Sequence, residues 1–324
     1  MILAGDIGGT KADLALFERG GDPRHPRLGR RIPTREHASL GALLEAFLDE
    51  AHERPERAVF GIAGPVKNNR CEATNLPWLV DGNALGEHLG TRVTLINDLA
   101  TTAWGVSQLA PEDLEILHPG EPTDATRALI AAGTGLGESI MARTEDGWIA
   151  VPSEGGHADF APRNPLEDEL LQWLRAKYSH VSYERVLSGP GIADLYRFMT
   201  DLGRGQEPPE VAQRFAGAPD PAVVVTETAL DGSCERSRRV LETFTDIYGS
   251  EAGNLALKAL AQGGVYVGGG IAPRILPFLR GGRFARGFQD KGRLTPVLEQ
   301  IPLAVILDPR TSLWGAAAFA MTHP

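Results

Sequence analysis

Three glycine-rich turns each follow a short apolar stretch of the chain. They are Gly8-Gly9-Thr10-Lys11, Gly133-Thr134-Gly135 and Gly268-Gly269-Gly270. Because glycine has no Cβ, the backbone N–H groups of such a turn can approach a phosphate group closely. One such turn alone is more often an ordinary tight turn. Three of them, each ending an apolar strand, predict that the chain binds the phosphates of a nucleotide.

The commonest nucleotide-binding motifs do not fit these turns. A P-loop requires a Gly-Lys pair before Ser or Thr, and the sequence contains no Gly-Lys pair. The dinucleotide fingerprint must open a helix, whereas the strand-like stretch Ser139–Ala142 follows Gly133–Gly137. The His-Arg-Asp loop of protein kinases is also missing. What remains is a fold in which hairpin turns from two lobes hold the phosphates.

Polar side chains that could bind a sugar form a second set. Asn97 and Asp98 follow the apolar stretch Val93–Ile96, and Asp98 is the candidate general base for transfer to an alcohol. Glu154, His157 and Glu184 complete the set, since several polar groups acting together recognise sugar hydroxyls. Taken singly, Asp98 could cap a helix, His157 could be structural and the glutamates could be surface residues.

The elements that must position these residues alternate between strands and helices, which indicates an α/β class. Ile2–Gly5 and Ala12–Phe17 are predicted to form a hairpin, and Glu235–Leu260 a long helix. With 324 residues, two domains are expected. We expect Pro111–Thr126, which contains three prolines, to connect them, and the segment Gly203–Pro221, which is rich in Pro, Gly and charge, to be mobile.

Composition excludes several functions. The formal net charge of −10 and the absence of a basic stripe argue against nucleic acid as a partner. Cys71 and Cys234 lie far apart, which supports neither a disulfide framework nor a zinc site. The N-terminus lacks a signal-peptide pattern and no apolar run is long enough for a membrane span, so a cytoplasmic protein is expected without a membrane partner.

The motifs taken together resemble those of bacterial glucokinases, in that family's order and from Asp6 to about Gly315. Asp6-Ile7-Gly8-Gly9-Thr10 and Ala132–Gly137 resemble the two phosphate loops of the actin, heat-shock chaperone and sugar kinase superfamily. Gly268–Ile271 resembles its adenosine-side loop. The other matching segments are Thr74-Asn75-Leu76-Pro77-Trp78, Ile96-Asn97-Asp98, Glu154–Pro162 and Glu184–Gly191.

The resemblance implies a two-lobed actin-like ATPase fold of the ribonuclease H-like type, with a cleft between a small and a larger α/β domain. The small domain would comprise residues 1–108, completed by 308–324, and the large domain residues 109–307. By the same resemblance the protein would be a homodimer.

The resemblance also implies roles for the residues. The protein would phosphorylate D-glucose at its 6-hydroxyl with ATP. Asp98 would be the general base, and Asn97, Asp98, Glu154, His157 and Glu184 would contact glucose. Asp6 would lie near Mg²⁺ through water, and the residues contacting the nucleotide would be Asp6, Gly8, Gly9, Thr10, Lys11, Gly133, Thr134, Gly135, Gly268, Gly269 and Gly270.

Two features distinguish branches of this superfamily. Lys11 stands where many bacterial glucokinases carry Asn, and it resembles the related repressor–kinase family. That family usually carries a cysteine-rich zinc motif after its Glu-x-Gly-His loop, and none follows Glu154–His157. The resemblance therefore favours the zinc-free glucokinase branch.

Other functions remain open from sequence. They are a related hexose or N-acetylhexosamine kinase, a catalytically silent sugar-sensing regulator, and an actin-like ATPase that binds protein. Retention of Asp98 with three phosphate loops argues against the silent regulator. The polar set from Asn97 to Glu184 has no clear purpose in an actin-like ATPase.

Overall fold

The structure, a computed structural model, describes residues 1–73, 76–145 and 147–323. Its strands are β1 (Ile2–Ile7), β2 (Lys11–Phe17), β3 (Leu28–Pro33), β4 (Arg57–Ile62), β5 (Val66–Lys67), β6 (Arg70–Glu72), β7 (Leu79–Asp81), β8 (Arg92–Asn97), β9 (Leu114–His118), β10 (Arg127–Ala132), β11 (Leu136–Thr144), β12 (Gly147–Ser153), β13 (Val265–Gly268) and β14 (Leu303–Ile306). The predicted hairpin is confirmed, because β1 and β2 pair antiparallel.

The helices are α1 (Leu40–Ala51), α2 (Gly82–Leu89), α3 (Asp98–Val106), α4 (Pro165–Arg175), α5 (Gly189–Asp201), α6 (Pro209–Gly217), α7 (Pro221–Leu230), α8 (Glu235–Ala259), α9 (Leu276–Arg280), α10 (Arg283–Gln289), α11 (Thr295–Leu298) and α12 (Thr311–Thr322). The predicted long helix is α8. Short 3₁₀ turns occur at Thr34–Glu36, Pro111–Asp113, Gly155–His157, Tyr183–Arg185 and Gly292–Leu294.

Two proline-containing segments include regular elements that the sequence analysis did not predict. The Pro- and Gly-rich segment Gly203–Pro221 contains helix α6, which begins at Pro209. Proline is tolerated in the first helical turn because its missing N–H has no partner there anyway. The stretch Pro111–Thr126 contains strand β9, which is the edge strand beside β14. An edge strand leaves one row of backbone groups unpaired, so prolines nearby do not prevent it.

The chain divides into two compact units. The first comprises Met1–Leu114, Thr144–Pro152 and the residues from Asp308 onward. The second comprises Glu115–Arg143 and Ser153–Leu307.

The first unit is built on a sheet with the order β3-β2-β1-β4-β8. Alternate residues of β1 face opposite sides, as the two-residue period of a strand requires. Leu3 packs in a core with Phe47 of α1, whereas Ile2 and Ala4 pack in a core with Ala316 of α12. The C-terminal helix α12 therefore covers one face of a sheet that the N-terminus begins.

Helices α3 and α12 meet at unusually close range. A Cβ at Gly105 would collide with the carbonyl oxygen of Thr311, and a Cβ at Gly315 would collide with that of Thr101. Glycine at these two positions lets the helix backbones touch directly. The contact brings side chains of α12 against the start of α3, where Asp98 lies.

The core of the second unit forms around α8. Strands β10, β13 and β14 are parallel neighbours in that order, and β11 pairs antiparallel with β10. Tyr248 of α8 is fully buried, and its hydroxyl accepts a hydrogen bond from the N–H of Ala132 at 3.1 Å. This bond fixes α8 to the end of β10, where the second glycine turn begins.

Candidate functional site

The first glycine turn joins β1 to β2 in the first unit. The N–H of Gly8 donates to the carbonyl oxygen of Lys11 at 3.0 Å, which closes the turn. Gly9 and Thr10 lie between these residues, and Lys11 begins β2 as an exposed residue. The turn therefore presents backbone N–H groups and a cation together at the end of β1.

Asp6 lies on β1 just before this turn. Its Oδ1 accepts a hydrogen bond from the hydroxyl of Ser312 at 2.8 Å. Removal of the carboxyl group from water raises the pKa of Asp6 to about 6, against the lowering effect of the Ser312 bond, and the nearby Asp98 raises it further. A carboxylate in such a place gains from a cation, so Asp6 fits a position beside a hydrated metal ion.

The two polar residues at the turn from β8 into α3, Asn97 and Asp98, differ in their hydrogen bonds. The side-chain oxygen of Asn97 accepts from the N–H groups of Leu99 at 3.0 Å and Ala100 at 3.3 Å, so Asn97 is the N-cap of α3. Its Nδ2 donates to the carbonyl oxygen of Gly64 at 3.1 Å. The cap that could have explained Asp98 is therefore supplied by Asn97.

Asp98 is the first residue of α3. Its Oδ1 accepts from the N–H of Leu99 at 2.9 Å. Burial raises the pKa of Asp98 above its ordinary value, and the Leu99 bond lowers it in part. A carboxyl group with a raised pKa is a stronger proton acceptor, which suits a general base.

Two hydroxyl groups that sequence reasoning missed connect Asp6 with the start of α3. Ser312 Oγ lies 2.8 Å from Thr101 Oγ1, and Thr101 Oγ1 donates to the carbonyl oxygen of Asp98 at 2.8 Å. Ser312 and Thr101 are 211 positions apart. No local pattern marks either residue, because only the close packing of α12 on α3 brings them together.

The second glycine turn joins β10 to β11 in the second unit. The N–H of Gly133 donates to the carbonyl oxygen of Gly135 at 2.8 Å, with Thr134 between them. A side chain at Gly135 would meet Glu184 Oε2 at 2.5 Å. That same oxygen accepts from the N–H of Leu136 at 3.0 Å. The carboxylate of Glu184 is thus held against the second glycine turn.

The third glycine turn packs beside the second. It follows β13, which is the parallel neighbour of β10. Gly269 has a φ of +81°, and a Cβ there would collide with the carbonyl oxygen of Ala132. Glycine is therefore required at this position, whereas Gly270 has open space around it and Gly268 has only ordinary contacts. The second and third turns lie together at the ends of two neighbouring strands.

Glu154, His157 and Glu184 come together in the second unit. His157 Nδ1 lies 3.8 Å from Glu184 Oε1, and His157 Nε2 lies 3.9 Å from Glu154 Oε2. The side chains of Glu154 and His157 are 84% and 59% exposed, and that of Glu184 is 29% exposed. The imidazole therefore lies between two carboxylates at the surface of its unit, where a polyhydroxylated ligand could reach all three.

The remaining observations concern a matching motif, metal-binding groups and membrane spans. Thr74 and Asn75, which belong to one of the matching motifs, lie outside the described residues. Within residues 1–73, 76–145 and 147–323, no group of three or more His, Cys, Asp or Glu side chains could hold a metal ion. None of the helices in those ranges has the length and apolar character that a membrane span needs.

Solved structures define the class of protein to which this fold belongs. The crystal structure of a glucokinase from an Antarctic psychrotroph matches with a TM-score of 0.85 and 32% identity, covering 98% of each chain. A ROK family glucokinase from Streptomyces griseus, solved with glucose and AMPPNP, matches with a TM-score of 0.64 at 20% identity, covering 98% of each chain. The predicted two-lobed actin-like ATPase fold of the sugar kinases is thereby confirmed.

Sequence comparison then gives the family. The family model described as Glucokinase matches residues 3–323. The glucokinase of Trichormus variabilis is 42% identical over 337 residues, which cover 99% of this chain and 98% of that protein. That of Synechocystis sp. is 40% identical over 351 residues, covering 98% and 97%. The chain belongs to the glucokinase family, so the predicted family and kinase activity are confirmed and the alternatives are not favoured.

Proposed function

We propose that this protein transfers the γ-phosphoryl group of ATP to the 6-hydroxyl of D-glucose, with Asp98 as the general base. The observation that carries the proposal is that Asn97 and Asp98 have different roles at the start of α3. Asn97 caps the helix, so the partly desolvated carboxylate of Asp98 is available for proton transfer. Family membership and the three glycine turns support the kinase chemistry.

In the proposed reaction Asp98 accepts the proton of the glucose 6-hydroxyl. The oxygen of that hydroxyl forms a bond to the γ-phosphorus, and the bond between this phosphorus and the oxygen bridging to the β-phosphate breaks. Glucose 6-phosphate and ADP are the products. Catalysis of this kind depends on positioning and on stabilisation of phosphate charge.

The remaining residues bind the two substrates in this proposal. Glucose is held by Asn97 and Asp98, and by Glu154, His157 and Glu184. The carboxylates accept hydrogen bonds from hydroxyl groups, and an epimer that moves one hydroxyl leaves an acceptor unpaired. Glucose is therefore expected to be preferred over mannose and galactose.

The nucleotide is held by the glycine turns. The turns Gly8–Lys11 and Gly133–Gly135 contact the phosphates through the Lys11 cation and through backbone N–H groups other than those of Gly8 and Gly133, which close the turns. Gly268–Gly270 lies on the adenosine side. Asp6 would hold Mg²⁺ through water, and that ion supplies neutralisation of phosphate charge. The buried, hydrogen-bonded carboxyl group of Asp6 fits this position.

We further propose the domain limits 1–108 with 308–324, and 109–307, a cytoplasmic location and a homodimeric state. The domain limits and the homodimeric state rest on the resemblance to glucokinases. Size-exclusion chromatography with light scattering measures the oligomeric state directly.

A coupled assay of sugar-dependent ADP release tests the proposed activity. Glucose with MgATP should give turnover, and excess EDTA should abolish it. The same assay with mannose, galactose and N-acetylglucosamine measures specificity. Equal kcat/KM values for all four sugars would replace the proposal with a broad hexose kinase, and the absence of turnover with any of them would remove the kinase proposal.

A further inference from the structure

Two buried glutamates in the second unit have no role in the proposed chemistry. Glu138 on β11 is 1% exposed, and Glu251 on α8 is 0% exposed. Glu138 and Glu251 are neighbouring acidic groups, and the buried oxygens Glu138 Oε1 and Glu251 Oε1 have no hydrogen-bond partner among the described residues. Two carboxylates this close cannot both stay ionised without a large cost, because burial removes the water that would screen them.

Glu138 lies directly beneath the loop that carries Glu154 and His157. A Cβ at Gly155 would collide with a carboxyl oxygen of Glu138, and a Cβ at Gly156 would collide with the carbonyl oxygen of Leu136. Both glycines let the loop rest on β11 with no intervening side chain. A movement of the Glu138 carboxyl group is therefore transmitted to the loop backbone.

Glu251 connects the pair to the turn that carries Glu184. Its Oε2 accepts from Asn254 Nδ2 at 2.7 Å, and Nδ2 also donates to the hydroxyl of Tyr183 at 3.1 Å. Tyr183 is the residue before Glu184 and begins the 3₁₀ turn Tyr183–Arg185. The acidic pair thus contacts the supports of both sugar-binding segments.

Charged groups surround the pair from several elements. Lys258 Nζ of α8 lies 3.5 Å from Glu251 Oε1. Lys291 donates to Asn254 Oδ1 at 2.8 Å, and burial and Arg163 lower the pKa of Lys291 to about 8. The buried hydroxyls of Tyr183 and Tyr248 have pKa values raised by burial, so they stay neutral.

The protonation state of Glu138 follows from this environment. Burial, followed by the charge of Glu251, raises the pKa of Glu138 to about 8, although Lys258 opposes the shift. At pH 7 Glu138 is therefore mostly a neutral acid. Above pH 8 it ionises, and two buried carboxylates then repel each other under the loop.

We propose that Glu138, as a neutral carboxylic acid packed under Gly155, is a positioning residue for the Glu154–His157 loop and that loss of its proton weakens glucose binding. The inference rests on the proposed function, because it takes that loop as part of the glucose site. Nothing in the reaction step itself involves Glu138, so the expected effect is on the KM for glucose and not on the KM for ATP.

The test compares Glu138→Gln with the unaltered protein between pH 7 and pH 9. If only the neutral form binds glucose, the KM for glucose of the unaltered protein rises about tenfold over this range. Glutamine keeps the shape and the donor but cannot ionise, so the KM of the variant should stay near its pH 7 value. Glu145→Gln, at an exposed position beyond β11, is the control and should behave like the unaltered protein.

Glu251→Gln is a second variant, for which the direction of the shift in the pH dependence of KM is predicted. Removal of the Glu251 charge lowers the pKa of Glu138, so the rise in KM should begin at lower pH. This variant also tests the inference if Glu138→Gln does not fold, as judged by circular dichroism.

Failure of this inference can be distinguished from failure of the proposed function. An active protein whose KM for glucose is independent of pH, or a Glu138→Gln variant that keeps the full rise, would overturn the positioning role and leave the kinase proposal intact. A rise that persists in Glu138→Gln would point to Lys291 instead. Absence of glucose turnover at pH 7 would remove the proposed function and this inference together.

Discussion

Two neighbouring residues at the end of β8, Asn97 and Asp98, have different roles, one structural and one proposed to be chemical. Asn97 satisfies N–H groups at the start of α3, which an asparagine does as well as an aspartate. Asp98 is consequently free to have its carboxyl group in a partly desolvated position, where a charged group costs stability but gains basicity. An aspartate at position 97 could also cap α3 but could not donate to the carbonyl oxygen of Gly64, so asparagine fits position 97 better.

Asp98→Asn is expected to lower kcat for glucose by about 10²–10⁴-fold, the usual effect of losing a general base. Asparagine keeps the shape and can still accept the Leu99 bond, so glucose should still bind, as measured by calorimetry. The exposed Asp49→Asn variant on α1 is the matched control. A purified Asp98→Asn protein with near-normal kcat would show that another group removes the proton.

At the scale of elements, α12 acts on the site from the far end of the chain. Its Ser312 donates to Asp6 and contacts Thr101, and the glycines of α3 and α12 allow the approach that makes these bonds. A helix in this position supplies a fixed donor to a carboxylate that is otherwise poorly hydrated. The element therefore stabilises the ionised form of Asp6 that a metal–phosphate complex requires.

Ser312→Ala is expected to lower the free energy of unfolding by about 1–3 kcal/mol, because it leaves a partly buried carboxylate without its donor. Urea denaturation measures this quantity. The KM for MgATP should rise, whereas that for glucose should change little. Ser107→Ala is the control: Ser107 is exposed at the end of α3, and its hydroxyl bonds to the nearby Trp104 and Gln108, so its effect should stay below about 0.5 kcal/mol.

If the KM values for MgATP and glucose rise together in Ser312→Ala, the hydroxyl acts on the general packing of α3 and not on Asp6 in particular. An unchanged KM for MgATP would contradict the assigned link between Asp6 and the nucleotide.

At the scale of the whole molecule, each compact unit contains its own core and its own part of the proposed sugar set. Asn97 and Asp98 belong to the first unit, and Glu154, His157 and Glu184 belong to the second. Under the proposed function, glucose binding should depend on both groups of residues. A ligand that binds only the folded protein stabilises it by mass action.

Glucose at about a hundredfold excess over Kd should raise the free energy of unfolding by about 2.7 kcal/mol. Asn97→Ala and Glu154→Ala should each reduce this gain, as measured by thermal unfolding with and without glucose. Without ligand, Asn97→Ala should be destabilised by about 1 kcal/mol through loss of its cap, and the exposed Glu154→Ala should be nearly unchanged. A full glucose effect in either variant would remove that residue from the sugar set.

Short-range features were predictable from sequence, and long-range contacts were not. The β1–β2 hairpin and the helix α8 follow from local patterns, whereas Asn97, Asp98, Glu154, His157 and Glu184 stay predicted site residues. Helix α6 and strand β9 were not predicted, and their prolines are compatible with a first helical turn and with the neighbourhood of an edge strand.

The sequence by itself determined the α/β class, the family and the candidate chemistry, because these depend on residue types and spacing along a short stretch. Only the tertiary structure decided that Asn97 is the cap of α3, that Ser312 reaches Asp6, and that Glu138 lies beneath Gly155 against Glu251. These contacts join segments up to 306 positions apart. They depend on how close two backbones can pack, and glycines at the crossing points permit that approach only once the fold has brought the segments together.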